Sequence, residues 1–285
     1  MDILNEIQGK FPTFSKGQKR IAQYILDEFD QAAFMTASAL GRIAQVSEST
    51  VVRFASELGY RGYPEMQKDL QDMVLTRLTS VQRLEVADCR RNDEDLLSQT
   101  LREDAERIRF TQESIDAKAF ESVVQAMMDA KRIYIIGVRA SSALASFLNY
   151  YLQYIFDDVR LITSAATSVV LESLVHLRPQ DWVIAISFPR YATSVLQAMQ
   201  YANDVGAKTV ALTDSEASPL AHDADLLLAA KTDMISMVDS LVAPMSVINA
   251  LIAASIHARK QETATVFDQL EEVWDTYHVY EKYDN

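Results

Sequence analysis

The chain is poor in the residues that would place it in several specialised classes. One cysteine, Cys89, in 285 residues excludes a disulfide framework and any multi-cysteine zinc site, and fits a reducing cytosol. Seven glycines and six prolines exclude collagen-like and low-complexity chains, and the 9% of aromatic residues argues against wholesale disorder. The N-terminal Met-Asp-Ile-Leu-Asn-Glu has no basic region leading into an apolar core, so it does not read as a signal peptide. No apolar run approaches the roughly 18 residues that span a bilayer. The longest candidate, 245–256, is interrupted by Ser246, Asn249 and Ser255. Positive charge is also scarce, with 27 Lys and Arg against 40 Asp and Glu and a net charge of −13. Taken whole, that figure disfavours a polyanionic partner.

The charge is unevenly placed. Residues 1–80 hold nine Lys/Arg against ten Asp/Glu, a balance of −1, and the rest carries −12. The two parts therefore admit different jobs. The first 80 residues read as short helices. Ile21, Tyr24, Ile25 and Phe29 make an apolar stripe over 17–30, with Ser15 as N-cap. A helix over 38–45 is expected to bury Leu40, Ile43 and Ala44. Val46 separates it from the N-cap Ser47 and a helix running to Leu58, which Gly59 stops. Another helix is expected over 64–78. The polar stretch from 79 to 98 reads as a linker, continued by a helix to 114.

From 132 the pattern changes. Short β-rich runs at 132–137, 158–163, 181–187, 208–213 and 224–229 alternate with helical segments. This predicts βαβ units, hence a parallel sheet covered on both faces. An apolar helix over 240–259 and an acidic tail with Trp274, Tyr277, Tyr280 and Tyr283 close the chain. The expected division is 1–78, 79–114 (linker and connecting helix), 115–260 and a tail, 261–285. The fold class is multidomain: an all-α head, then an α/β domain of three layers on a five-stranded parallel sheet.

Two constellations carry chemistry. In the head, the helix–break–helix fits a helix-turn-helix, with Ala44 allowing close approach and Ile43, Val51, Ala55 and Leu58 as core. Glu48, Ser49, Val52, Arg53 and Ser56 are left as an exposed band. Short hydrogen-bonding groups and one arginine are types that reach base edges in a major groove. Ser47 and Thr50 suit phosphates near a helix N-terminus, and Arg61, Tyr63 and Lys68 are candidate backbone contacts. The plainer reading is a small helical bundle for packing. Charge summed over the whole chain does not oppose DNA binding, because the field that matters acts within about a Debye length.

In the second part, two hydroxyl-rich loops follow strand ends, where ligands collect in open α/β sheets. They are Gly137-Val-Arg139-Ala-Ser141-Ser142 and Ser187-Phe-Pro-Arg190-Tyr191-Ala-Thr193-Ser194; a third, 213–220, runs into a helix at Pro219. The first is neither a GxGxxG nor a P-loop. Convergence of the first two on one sheet edge suits an anion, and ordinary N-capping by Ser and Thr is the plainer alternative. Glu172 and His176, spaced i, i+4, are the pair to examine for aldose–ketose isomerisation. No histidine spacing suggests a metal, and no cofactor is implied.

The segment Val46-Ser-Glu-Ser-Thr-Val-Val-Arg-Phe54, followed by Leu58-Gly-Tyr-Arg-Gly-Tyr63, resembles the N-terminal helix-turn-helix of the MurR/RpiR family of bacterial transcriptional regulators. The loops resemble those of the sugar isomerase (SIS) domain that follows it in that family. The resemblance implies a regulator without catalytic residues that binds double-stranded operator DNA through the head. It further implies a phosphosugar or related anion held by Gly137, Arg139, Ser141, Ser142, Ser187, Arg190, Tyr191, Thr193 and Ser194. A cytoplasmic homodimer or homotetramer, not associated with membrane, is expected. Many SIS loops read Gly-x-Gly-x-Ser and Ser-x-Ser-Gly-x-Thr, whereas Arg139 here takes the place of the second glycine and Arg190 enters the second loop. The alternatives are a phosphosugar isomerase with an accessory helical domain, and a DNA-binding protein whose SIS domain is an oligomerisation scaffold.

Overall fold

The computed structural model describes residues 3–77, 83, 95–233 and 238–281. Most of the charged linker segment, along with Cys89 and Tyr283, falls outside those residues. The chain divides into two compact units, Met1–Arg90 and Arg91–Asn285.

The first unit contains helices α1 (Ile3–Lys10), α2 (Lys16–Asp27), α3 (Phe29–Ala32), α4 (Ala37–Ile43), α5 (Glu48–Glu57) and α6 (Tyr63–Arg77), with a 3-10 turn at Phe11–Thr13. Ser15 opens α2 through a capping box with Gln18. The single helix expected over 17–30 is broken at Glu28, whose backbone leaves the helical region. The break turns α3 so that Ala32 and Ala33 are fully buried in the core with Ile7, Ile21, Ile25, Leu40, Phe54, Met66 and Leu70. Ile43, expected in that core, is 46% exposed. The inward stripe of α4 runs through Leu40, Gly41 and Ala44, and α4 is turned on the core so that Ile43, three residues from Leu40, falls at its exposed margin.

The second unit begins with α7 (Leu96–Ser114) and α8 (Ala117–Asp129). There follow β1 (Ile133–Gly137), α9 (Ser141–Leu152), β2 (Val159–Ile162), α10 (Thr167–Ser173), β3 (Trp182–Ile186) and α11 (Thr193–Val205). Next come β4 (Lys208–Thr213), α12 (Pro219–His222), β5 (Leu226–Ala229), α13 (Val242–Ala258) and α14 (Lys260–Thr276). The five strands are parallel in the order β2-β1-β3-β4-β5. Alternation along β1 sends Ile133 and Ile135 to one face, against α8, α9 and α13. Tyr134 and Ile136 go to the other, against α10, α11 and α12. Both faces are thus covered, which is why the central strands β1 and β3 read as continuous apolar runs.

Helix α7, expected as a connection, is tied into this unit. Thr111 Oγ1 accepts the Lys231 N–H at 2.9 Å, and Ser240 Oγ donates to Asp104 at 2.6 Å. The tail is helical as α14, bent by 98° from α13, and the Trp274 ring stands edge-on to Tyr280 at 5.2 Å. No single helix among the described residues is long and apolar enough to cross a membrane.

Candidate functional sites: a helical reading face and a crevice at the sheet edge

The head site starts from Thr36, whose hydroxyl accepts the Ala39 N–H at 3.2 Å and caps α4. The turn into α5 is tight because Gly41 lets it come close. A Cβ there would stand 3.0 Å from the Val46 carbonyl oxygen, and Val46 N–H donates to the Gly41 carbonyl at 2.8 Å. Gly41, rather than Ala44, is the close-approach residue. An isolated glycine inside a helical pattern was the available signal. Gln45 turns the chain with a left-handed φ of 53°.

Helix α5 packs Val51, Phe54 and Ala55 inward and leaves Glu48, Ser49, Val52, Arg53 and Ser56 exposed. Ser47 occupies the N-cap position, yet its hydroxyl caps no amide. It lies 2.9 Å from both Ser49 Oγ and Thr50 Oγ1, so three hydroxyls gather at the positive end of the helix. Arg53 Nε donates to the Ser49 carbonyl at 3.2 Å. That bond holds the side chain along the helix and leaves its two Nη groups without a hydrogen bond among the described residues. Ser56 Oγ donates to the Val52 carbonyl at 3.3 Å. Arg61 and Lys68 are exposed.

Tyr63 departs from expectation. It is 4% exposed, and its hydroxyl donates to the Met35 carbonyl at 2.7 Å. Burial pushes its pKa up to about 12. Its proton is already committed and its ring is core, so it is a structural residue and not a surface contact to a DNA backbone.

The second site lies where the strand order reverses. From β1 the chain steps outward to β2, and from β3 it steps the other way to β4 and β5. Ligands bind at such switch points, outside the carboxyl ends of the strands. Gly137 pairs in register with Ile186, so the loops leaving β1 and β3 start side by side. Gly137 ends β1 because nothing larger fits: a Cβ would stand 2.7 Å from both the Ala145 Cβ and the Ser141 carbonyl oxygen.

Helices α9 and α11 open at this edge with Ala140 and Ala192 at their N-caps, and neither receives a side-chain cap. Ser141 (8% exposed) and Ser194 (4%) are nearly buried, yet their hydroxyls make no hydrogen bond among the described residues. Ser187 Oγ accepts the Ala192 N–H at 3.4 Å, and Ser142 Oγ donates to the Arg139 carbonyl at 2.5 Å. Thr193 is exposed at the first turn of α11. The third loop joins through Asp214, which accepts from the Tyr191 hydroxyl at 2.7 Å and from Thr213 Oγ1 at 3.0 Å. Arg139 and Arg190 are exposed, each on left-handed backbone, with φ of 56° and 64°. The hydroxyls of Ser141, Ser142 and Ser194 thus cap no helix N-terminus, whereas that of Ser187 takes the amide of Ala192 at the start of α11. What the edge offers is two helix N-termini, several hydroxyls and two cations, a set of donors suited to an anion.

Residues 1–76 match the helix-turn-helix domain of the rpiR family, and residues 126–254 match the SIS domain. The chain belongs to the RpiR family of transcriptional regulators. Among its relatives is the HTH-type transcriptional regulator HexR of Escherichia coli K12. It is 26% identical over 266 residues, which span 88% of this chain and 86% of that one. The sugar isomerase domain of an RpiR transcription factor from Sphaerobacter thermophilus superposes with a TM-score of 0.60 at 28% identity. The match covers 63% of this chain and 99% of that one. The NanR protein of Vibrio vulnificus, complexed with ManNAc-6P, shares the fold over 96% of this chain and 98% of its own, with a TM-score of 0.60 at 23% identity.

The residues weighed for isomerase chemistry in this RpiR-family protein do not form a site. Helix α10 ends at Ser173, so Glu172 and His176 do not share a helical face. The His176 carbonyl accepts from Arg132 Nη1 at 3.1 Å, and Arg132 precedes β1. This places His176 at the edge of the sheet opposite the two loops. His222 pairs with Asp223 at 2.9 Å, and His257 is exposed near the end of α13.

Proposed function

We propose that this RpiR-family regulator reads operator DNA with the exposed face of α5 and is controlled by a sugar phosphate held in the crevice between the β1 and β3 loops. The observation that carries the sensor half is the pair of helix N-termini without side-chain caps, side by side at the switch point, with the nearly buried hydroxyls of Ser141 and Ser194 beside them. The phosphosugar complex of NanR supports the ligand class.

In this reading residues 1–78 are the DNA-binding domain, 79–114 the link, 115–260 the sensor and 261–285 a tail. Arg53 Nη groups fork onto a guanine edge, Ser49, Ser56 and Glu48 read neighbouring bases, and Val52 offers an apolar surface to a thymine methyl. Ser47 and Thr50 take phosphates at the helix end, and Arg61 and Lys68 extend that track. In the sensor, Ser141, Ser142, Ser187, Thr193 and Ser194 surround the phosphate. Arg139, Arg190 and Tyr191 border it, and Gly137 admits the close approach of α9. The protein acts in the cytoplasm as a homodimer or homotetramer, so two heads meet half-sites about 34 Å apart or a multiple of that spacing. The ligand acts by linkage: its different affinity for two arrangements of the oligomer shifts their populations, hence operator affinity.

Selection of bound fragments from random-sequence DNA tests the head. An enriched palindrome supports it, and retention without sequence enrichment contradicts it. Thermal melting of the full chain with glucose 6-phosphate and related sugar phosphates tests the sensor. A rise in melting temperature that is lost on combining Ser141→Ala with Ser194→Ala supports it. No rise with any sugar phosphate contradicts it.

A further inference from the structure

Helix α7 is the first helix of the second unit, and the chain enters it from the linker segment that follows the head. All five of its large apolar side chains, Leu96, Leu97, Leu101, Ile108 and Phe110, are exposed within the chain. The two residues it buries, Arg107 and Thr111, are polar. Among the described residues, none of its side chains joins either apolar core of the unit. A surface helix is ordinarily held by an apolar face. Here hydrogen bonds take that place: Thr111 Oγ1 accepts the Lys231 N–H at 2.9 Å, and Asp104 accepts from Ser240 Oγ at 2.6 Å. Arg107 turns back on Asp104 and Glu103, at 3.4 and 3.1 Å, so its ion pairs stay within α7.

The Thr111 contact leads to the crevice. Lys231 follows Ala230, whose N–H donates to the Thr213 carbonyl at 2.8 Å and so joins the exit of β5 to the end of β4. Thr213 Oγ1 donates to Asp214 Oδ1 at 3.0 Å, and the same oxygen takes the Tyr191 hydroxyl of the β3 loop at 2.7 Å. Hydrogen bonds and adjoining residues thus connect the crevice loop to α7 without a gap. Contiguity alone does not couple two sites; an element with two arrangements that both sites bias does. Helix α7 suits that role, because a segment with few buried apolar contacts opens at low free energy. Its bonded arrangement is defined by discrete polar contacts.

We propose that Thr111 is the positioning residue through which occupancy of the crevice reaches the head. This rests on the ligand-controlled reading above and deepens it. A ligand against the β3 loop displaces Tyr191, hence Asp214 and the exits of β4 and β5, and so biases whether the Lys231 N–H meets Thr111 Oγ1. The seat of α7 in turn sets where the linker joins the second unit. In this role Thr111 touches neither ligand nor DNA. Its hydroxyl matters only as the acceptor that fixes α7.

The test compares Thr111→Val, which keeps the branched shape and removes the acceptor, with Thr111→Ser, which keeps the acceptor and removes the methyl. Operator affinity of the full chain is read by fluorescence anisotropy with and without saturating glucose 6-phosphate, fructose 6-phosphate, ribose 5-phosphate or ManNAc-6P. Calorimetry reads the affinity for the sugar phosphate itself. Wild type is expected to respond to at least one probe by about fivefold or more, and Thr111→Val by less than about twofold. Ligand-free operator affinity and sugar-phosphate affinity of that variant should each stay within about threefold of wild type, which a general loss of structure would not allow. Thr111→Ser should restore the full response. A response kept in Thr111→Val, or lost equally in Thr111→Ser, overturns the proposal and leaves the ligand-controlled reading standing. Should Thr111→Val fail to fold, hydrogen exchange of the wild-type chain decides. The amides of α7 and of Lys231 should then change their exchange rates by about threefold or more on binding the sugar phosphate, and unchanged rates overturn the proposal. If none of the four probes changes wild-type operator affinity, both fall.

Discussion

Gly137→Ala is the substitution whose effect the structure defines most narrowly. The added Cβ would stand 2.7 Å from two atoms, the Ala145 Cβ and the Ser141 carbonyl oxygen, while ordinary contact begins at 3.4 Å. Neither obstacle is the far end of a flexible side chain. To restore contact distance, the first turn of α9 must move about 0.7 Å from the end of β1, the difference between those two separations. Overpacking of this kind costs about 1–3 kcal/mol. For a unit of about 200 residues, Arg91–Asn285, that predicts a melting temperature lower by about 2–12 °C. The same shift displaces Ser141 and the α9 N-terminus, so affinity for a sugar phosphate should fall as well.

Gly9→Ala is the control. It lies in α1 with nothing within 4 Å of the added Cβ, and should stabilise by about 0.5–1 kcal/mol through helix propensity. Scanning calorimetry of the full chain, with titration of glucose 6-phosphate, reads both effects. If Gly137→Ala melts and binds like wild type, α9 does not press on β1 as described and the crevice is built differently.

Three further outcomes follow from named contacts. Arg53→Ala should weaken binding to the selected operator by about 1–3 kcal/mol and leave non-specific binding and thermal stability nearly unchanged; unaltered discrimination in a fluorescence anisotropy titration removes Arg53 from the reading face. Tyr63→Phe should cost about 0.5 kcal/mol, the low end for a hydrogen bond, because Gln67 Nε2 still donates to the Met35 carbonyl at 2.8 Å. Operator affinity should be unchanged, and a marked loss would return Tyr63 to the interface. The hydrogen bond from Arg160, aided by Arg132, holds the Asp158 carboxyl below the ordinary carboxylate range. Its contribution to stability is therefore present above the unfolded pKa of about 3.9 and lost as pH falls through the lower folded value. Asp158→Asn should flatten the acid limb of the melting profile, and an unchanged limb would contradict that.

The elements were most legible where burial is one- or two-sided in a regular way. The central strands β1 and β3 stand out because a sheet covered on both faces leaves each as an unbroken apolar run. The exposed band of α5 follows from its period, with Val51 and Phe54 inward and Ser49, Arg53 and Ser56 outward. What escaped the pattern depends on tertiary detail. Ile43 is as apolar as Leu40, and only the orientation of α4 on the core decides which is covered. Tyr63 carries a polar atom that reads as a surface contact, and its buried partner is a backbone carbonyl 28 residues away, invisible to side-chain types. Glu172 and His176 have helical spacing, but α10 ends between them. The loop hydroxyls could be identified by type, whereas the absence of any hydrogen bond from Ser141 and Ser194 among the described residues could not. Nor does residue type reveal that both loop arginines stand on left-handed backbone.

The central claim is that an anion in the β1/β3 crevice changes the affinity of the head for DNA. Its most direct test is an anisotropy titration of the selected operator with the full chain, repeated against a series of sugar phosphates and phosphorylated sugar acids. The account predicts that at least one changes operator affinity by about fivefold or more, the lower bound of an ordinary coupling. That change should vanish in the combined Ser141→Ala and Ser194→Ala variant while its ligand-free DNA binding is kept. Operator affinity that stays constant across the whole series, or a response that survives in that variant, would contradict it.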